Sequence, residues 1–125
     1  MKVLSRGIVS VLFVACALVA LTVSLGAHMA MEKADPARDT TLAVAPKQVQ
    51  LWFTQKPDLK VTKIELQGPS GPIKLAPAHM MGAMSVMVGV DGELADGAYT
   101  VRWQSAGDDG HVQKGEYAFH LKRAK

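Results

Sequence analysis

The sequence contains a single cysteine, Cys16, and it lies within an uncharged apolar run near the start of the chain. If that run is removed as a signal, the rest of the chain has neither a disulfide nor a thiolate metal ligand. A metal ion would then have to be held by histidine, methionine, carboxylates or a chain terminus. The sequence after position 28 also lacks a sustained helical period, which argues against a helical domain.

The chain has no strong charge of either sign. Its formal net charge is +3, but two of its 14 basic residues, Lys2 and Arg6, precede the apolar run. The remainder is nearly neutral, and it has no basic patch interleaved with aromatic residues. The composition therefore does not favour nucleic acid as a partner.

The first 27 residues have the pattern of a secretory signal peptide. Lys2 and Arg6 form a short positive region, residues 7–25 are almost wholly apolar, and Gly26 and Ala27 are small residues suited to signal peptidase. We predict a signal peptide over residues 1–27 and one secreted domain over residues 28–125. The alternative is an uncleaved anchor, because residues 7–25 are long enough to span a bilayer.

Short segments of alternating apolar residues predict β-strands after the signal. The clearest place Tyr99, Val101 and Trp103 on one face, and the last places Tyr117, Phe119 and Leu121 on one face. Turn signals separate these segments at close spacing. The fold class predicted is therefore all-β, as an antiparallel sandwich or a small barrel.

The segment between the last two predicted strands contains Asp109 and His111, two residues apart. One interpretation is an ordinary turn in which the aspartate bonds its own backbone. The other is half of a metal site, with one oxygen and one nitrogen donor. His28 favours the second interpretation, since cleavage after Ala27 gives it a free α-amine beside its imidazole. Three nitrogens and one oxygen would suit Cu(II).

Six of the seven methionines fall in two short clusters, and the seventh is Met1. Thioethers are soft ligands that select Cu(I). His79, Met80 and Met81 precede the regular strand alternation, so we treat them as a candidate Cu(I) set. Met84 shares its parity with Val86 and Val88 and is predicted to be a core residue.

Two widely separated motifs resemble those of the CopC-type periplasmic copper-binding proteins. The first is a histidine after the signal, followed by a strand of the form V-x-L-x-F. The second is L-x-x-G-x-Y-x-V-x-W, followed by D-G-H and G-x-x-x-F. Their residues here are His28, Val49, Leu51, Phe53, Leu94, Gly97, Tyr99, Val101, Trp103, Asp109, Gly110, His111, Gly115 and Phe119.

The resemblance implies an immunoglobulin-like β-sandwich or Greek-key barrel that binds copper and is not an enzyme. Cu(II) would be held by the amine and imidazole of His28 together with Asp109 and His111, and Cu(I) by methionines. It also implies copper resistance or homeostasis, copper transfer to a CopD-like membrane transporter, and a monomer.

Two departures from the family pattern bear on the site. The turn is two residues longer than usual, so Asp108 or Asp109 could be the ligand, and the D-G-H match favours Asp109. The acidic residue that often follows V-x-L-x-F is replaced by Gln55. Two rival functions are a metal-free interaction module and a copper enzyme in which the terminal histidine forms an oxidative brace.

Overall fold

The structure is a computed structural model that describes residues 28–124. The predicted signal peptide, and with it the alternative membrane anchor, lies outside these residues. The described chain contains no helix long and apolar enough to cross a membrane. Its strands are β1 Met31–Asp35, β2 Thr41–Leu42, β3 Gln48–Phe53, β4 Lys63–Gly68, β5 Gly71–Ile73, β6 His79–Met80, β7 Ser85–Gly89, β8 Gly97–Ala106 and β9 Val112–Leu121.

The strands form two sheets. One has four strands in the order β1-β3-β7-β6, and the other has five in the order β2-β9-β8-β4-β5. Neighbouring strands are antiparallel except for β2, which pairs with β9 in parallel. This architecture confirms the predicted all-β sandwich, of the immunoglobulin-like kind that the resemblance implies.

The core lies between the sheets and follows the alternation of the strands. Val49, Leu51 and Phe53 of β3 are buried, and so are the inward residues of β8 and β9. The rings of Tyr99 and Phe119 stack with centroids 5.2 Å apart. Burial of this apolar surface is the main source of stability.

Met84 is not a core residue, and the prediction that it would be is wrong. Its side chain is 46% exposed, and β7 begins only at Ser85. The Met84 carbonyl accepts a hydrogen bond from the Phe53 N–H at 2.8 Å. Met84 therefore still bonds the end of β3 through its backbone, but it lies in the turn just before β7, where its side chain is exposed and the alternation of Val86 and Val88 does not extend to it.

Strand β8 separates two ends of the sandwich. It has ten residues, so the turns at its two ends lie roughly 30 Å apart. At one end the β8–β9 turn, residues 107–111, lies near His28 and the end of β3; we call this the histidine end. At the other, the Asp96 carboxylate accepts from the Arg123 side chain at 3.0 Å; we call this the arginine end.

Candidate metal centre

The β8–β9 turn holds the Asp109 carboxylate in place through backbone hydrogen bonds. The Gly110 N–H donates to the Gly107 carbonyl at 3.1 Å, which closes the turn. Gly110 has a φ of 72°, a left-handed conformation that glycine adopts without steric cost. The His111 N–H then donates to Asp109 Oδ1 at 3.0 Å. The predicted Asx-type turn is thus present, and it leaves Asp109 Oδ2 available to other groups.

The first described residues are fixed by burial and by hydrogen bonds. Met29 is only 3% exposed and belongs to the hydrophobic core. Ala30 makes two hydrogen bonds with Thr54, one from its N–H to Thr54 Oγ1 at 3.0 Å and one from the Thr54 N–H to its carbonyl at 2.9 Å. His28 directly precedes this anchored pair and is held at the histidine end.

His28, Asp109 and His111 come together although the first two are 81 positions apart. His28 Nδ1 lies 2.9 Å from Asp109 Oδ2, and His111 Nδ1 lies 3.6 Å from the same oxygen. The two imidazole rings are tilted by 39° with centroids 5.5 Å apart. One ligand atom from each residue lies within 4.8 Å of the others, as the ligands of a single ion would.

The environment of Asp109 keeps its carboxylate charged. The hydrogen bond from the His111 N–H, and next the one from the His28 side chain, lower the pKa of Asp109 below its ordinary value. A neutral imidazole offers one nitrogen lone pair, and the charged carboxylate offers oxygen lone pairs. The cluster can therefore supply two nitrogens and one or two oxygens to a cation that reaches it from solvent.

The structure separates the two aspartates between which the sequence left a choice. Asp109 meets the histidines, whereas Asp108 is outside the cluster. The Asp108 N–H donates instead to the Gln55 side-chain oxygen at 3.1 Å. The aspartate of the D-G-H match, Asp109, is thus the one that lies beside both histidines.

The candidate Cu(I) residues do not all face one way. His79 and Met80 are consecutive in β6, so their side chains point to opposite faces of the sheet. Met80 packs against the core, while His79 is exposed and Met81 is 43% exposed. The structure therefore places His79 and Met81 at the surface, whereas the Met80 side chain faces the core.

Sequence reasoning missed the residues that hold the cluster together. In the sequence, Met29 is simply one of the clustered methionines, and Thr54 carries no signal of a role. Gln55 differs from its neighbours only in standing where the family pattern often has an acidic residue. No local period distinguishes these residues from their neighbours, because their partners lie in segments far away along the chain.

The sandwich and its exposed histidine end define a β-sandwich protein with a candidate metal site at one end. A family profile described as the CopC domain matches residues 31–122. Protein YobA of Escherichia coli K12 is 30% identical over 105 residues, which cover 82% of this chain and 85% of that protein. The chain belongs to the CopC domain family.

Two solved structures resemble the chain along almost their whole length. CopC from Methylosinus trichosporium OB3b is 25% identical with a TM-score of 0.69, and the match covers 78% of this chain and 97% of that one. PcoC, a methionine-rich copper resistance protein from Escherichia coli, is 28% identical with a TM-score of 0.65, covering 77% of this chain and 100% of that one.

Proposed function

We propose that the protein is a periplasmic copper-binding protein of copper resistance or homeostasis. Cu(II) binds at the histidine end through the α-amine and imidazole of His28, the imidazole of His111 and the carboxylate of Asp109. The single observation that carries the proposal is the convergence of His28 and His111 on one charged carboxylate oxygen. The copper resistance relative supports copper as the ion.

The donor set suits oxidised copper. Cu(II) favours tetragonal coordination by nitrogen and oxygen, and the cluster offers no thiolate. The amine is free only if the chain is cut after Ala27. Its ordinary pKa of about 7.7–8.0 lets a strongly bound metal displace its proton near neutral pH. Signal cleavage therefore completes the site.

The role that fits this arrangement is holding and transferring copper rather than catalysis. The three ligand side chains are exposed, so an ion can enter and leave without a change of fold. Handing the ion to a CopD-like membrane transporter is the corresponding transfer step. We expect the protein to act as a monomer.

A second, Cu(I) site is proposed at the β6–β7 turn. The specific observation in its favour is that Met81 and Met84 are both large apolar residues with almost half of their surface exposed, and His79 is exposed in the adjoining β6. Half-exposed thioethers gain less packing energy than core residues, and they are suitable ligands for Cu(I). Met80 contributes to this turn from the core side rather than as an exposed donor.

The test of the Cu(II) site uses protein exported with its own signal, whose N-terminus is then sequenced. We expect it to begin at His28, to bind one Cu(II) and to show nitrogen hyperfine structure by electron paramagnetic resonance. His111→Ala should weaken binding by at least about 100-fold, since even loss of a group that only orients a ligand costs 10–100-fold. His120→Ala, an exposed histidine at the far end of β9, is the matched control and should bind normally.

The rival functions give different results in the same experiment. A metal-free interaction module would show no copper absorption band and no effect of His111→Ala. A copper enzyme would consume oxygen when copper and a reductant are added.

Anaerobic Cu(I) titration tests the second site. The double variant Met81→Leu with Met84→Leu should bind Cu(I) more weakly than the wild type, whereas the control variant Met80→Leu should bind it normally.

A further inference from the structure

The candidate copper site is assembled from two segments that share no strand pairing with each other. His28 precedes β1 in the four-stranded sheet, and Asp109 and His111 lie in a turn of the five-stranded sheet. A chelate that spans two sheets needs something to fix one half against the other. Otherwise, the entropy lost when copper orders both segments would weaken the free energy of binding.

The end of β3 contacts both halves through two consecutive residues. Thr54 bonds Ala30 in both directions, at 3.0 Å and 2.9 Å, which fixes the segment that carries His28. Gln55 Oε1 accepts from the Asp108 N–H at 3.1 Å, which fixes the residue beside Asp109. One dipeptide thus bonds Ala30, two residues from His28, and Asp108, which is adjacent to Asp109.

The Gln55 side chain lies directly against Gly107 in the turn. A Cβ atom built on Gly107 would lie 2.2 Å from Gln55 Oε1. Real Cβ atoms do not approach an oxygen so closely, so any side chain at position 107 would force Gln55 to move. The Gln55 side chain therefore packs against the turn at residue 107 as well as bonding it at Asp108.

We infer that Thr54 and Gln55, which we call the bridging pair, are positioning residues that hold the two halves of the copper site in register before the ion arrives. This inference rests on the proposed Cu(II) function and adds a role for two residues outside the ligand set. The bridging pair acts through Ala30 and Asp108 and does not itself coordinate the ion. Its effect is to lower the ordering cost of the chelate.

The variants for the test remove each hydrogen bond with little change of shape. Thr54→Val deletes the hydroxyl and keeps the backbone bond, and Thr54→Ser restores the hydroxyl. Gln55→Ala deletes the oxygen that Asp108 uses. Thr40→Val and Gln48→Ala are the matched controls, since Thr40 bonds locally to the Ala37 carbonyl and Gln48 begins β3 away from the histidine end.

The expected result is a rise in the Cu(II) dissociation constant of about 3- to 10-fold for Thr54→Val and for Gln55→Ala, the size of one net hydrogen bond. Thr54→Ser and both controls should stay within about twofold of the wild type, the error of such a comparison. In the double variant the dissociation constant should rise by less than the product of the two single rises. Loss of either hydrogen bond already lets the two halves of the site move relative to each other.

Two spectroscopic readouts separate positioning from coordination. The bound copper should keep the same nitrogen hyperfine pattern in every variant of the bridging pair, because its ligands are unchanged. In the metal-free protein, the nuclear Overhauser contact between the rings of His28 and His111, 5.5 Å apart, should weaken in Thr54→Val and in Gln55→Ala. A changed hyperfine pattern with an intact ring contact would instead make Gln55 a ligand and overturn the inference.

The failure of this inference is distinguishable from the failure of the copper proposal. If the wild type does not bind Cu(II) at His28 and His111, the proposed function is wrong, and the bridging pair loses the role assigned to it. If the wild type binds and the variants match it in affinity and in ring contact, only the positioning role is wrong. Equal melting temperatures of variants and controls show that folding does not account for the result.

Discussion

The two ends of the sandwich each hold an exposed aspartate whose pKa is lowered, and they do so with different partners. At the histidine end the leading cause for Asp109 is the His111 backbone N–H, followed by the His28 side chain. At the arginine end the causes for Asp96 are the Arg123 backbone N–H and then its side chain. The carboxylates have similar surroundings, and only the nature of the neighbouring donor differs.

That difference makes the histidine end, and not the arginine end, the candidate for a metal ion. A guanidinium has five N–H donors and no lone pair to offer, so Arg123 satisfies Asp96 and competes with any cation. An imidazole in its neutral form has a lone pair and can turn from hydrogen-bond partner into ligand. A charged surface carboxylate is therefore a weak sign of a metal site, and the chemistry of its partners is the stronger one.

The largest effect should come from blocking the amine of His28. A form of the processed protein acetylated at the α-amine of His28 keeps every side chain at both ends but replaces the amine by an amide. We expect the affinity for Cu(II) to fall by at least about 100-fold, more than the loss of an orienting group. Copper titration with a competing chelator measures it. Unchanged affinity would mean that the side chains alone make the site.

The next largest effect should come from Met29, the buried residue that follows His28 and fixes it at the histidine end. Met29→Ala should destabilise the protein by about 2–3 kcal/mol, because it empties a well-buried position in the core. Met84→Ala, at an exposed methionine, should change the free energy of unfolding by less than about 0.5 kcal/mol. Urea denaturation of the metal-free protein provides both values. Equal losses would contradict the different burial of the two methionines.

The fold was largely predictable from the sequence because strand alternation records which face is buried. Tyr99, Val101, Tyr117 and Phe119 all lie in the core as their spacing indicated. The same rule failed for Met84. The sequence alternation extends one step before the start of β7 at Ser85, and only the structure shows that Met84 is exposed in the turn that precedes the strand.

The site was predictable only in part, for a related reason. His28, Asp109 and His111 could be named because a terminal histidine and a D-G-H turn each carry their own chemistry. The hydrogen bonds of Thr54 and Gln55 could not be foreseen, since threonine and glutamine after a strand are ordinary residues. Their roles depend on which distant segments the two sheets bring beside the end of β3, and no local pattern records that.

A smaller effect should come from exchanging the two carboxylates for amides. Asp109→Asn keeps the shape of the turn but removes the charge that a cation would neutralise, so we expect Cu(II) affinity to fall by about tenfold, equivalent to about 1.4 kcal/mol. Asp96→Asn removes the same charge at the arginine end and should leave the affinity within about twofold. Isothermal titration of both variants at one ionic strength makes the comparison. A matching loss at Asp96 would mean that only the overall charge matters.

The smallest effect should appear in the acid stability of the metal-free protein. The folded-state pKa of Asp96 lies below its ordinary value, so the ionised group stabilises the fold above the pKa of the unfolded chain, about 3.9. That contribution is lost as the pH falls through the lowered folded-state pKa. The stability difference between wild type and Asp96→Asn should therefore be greatest near neutral pH and vanish in strong acid. It should stay small throughout, because both Asp96 and Arg123 are solvent-exposed.

Thermal melts of the wild type and Asp96→Asn from pH 7 to pH 2 measure the stability difference. High salt should reduce it by screening the guanidinium, while the hydrogen bond from the Arg123 N–H persists. A stability difference that grew towards acid pH would contradict this prediction, because it would mean that the ionised Asp96 does not stabilise the folded state.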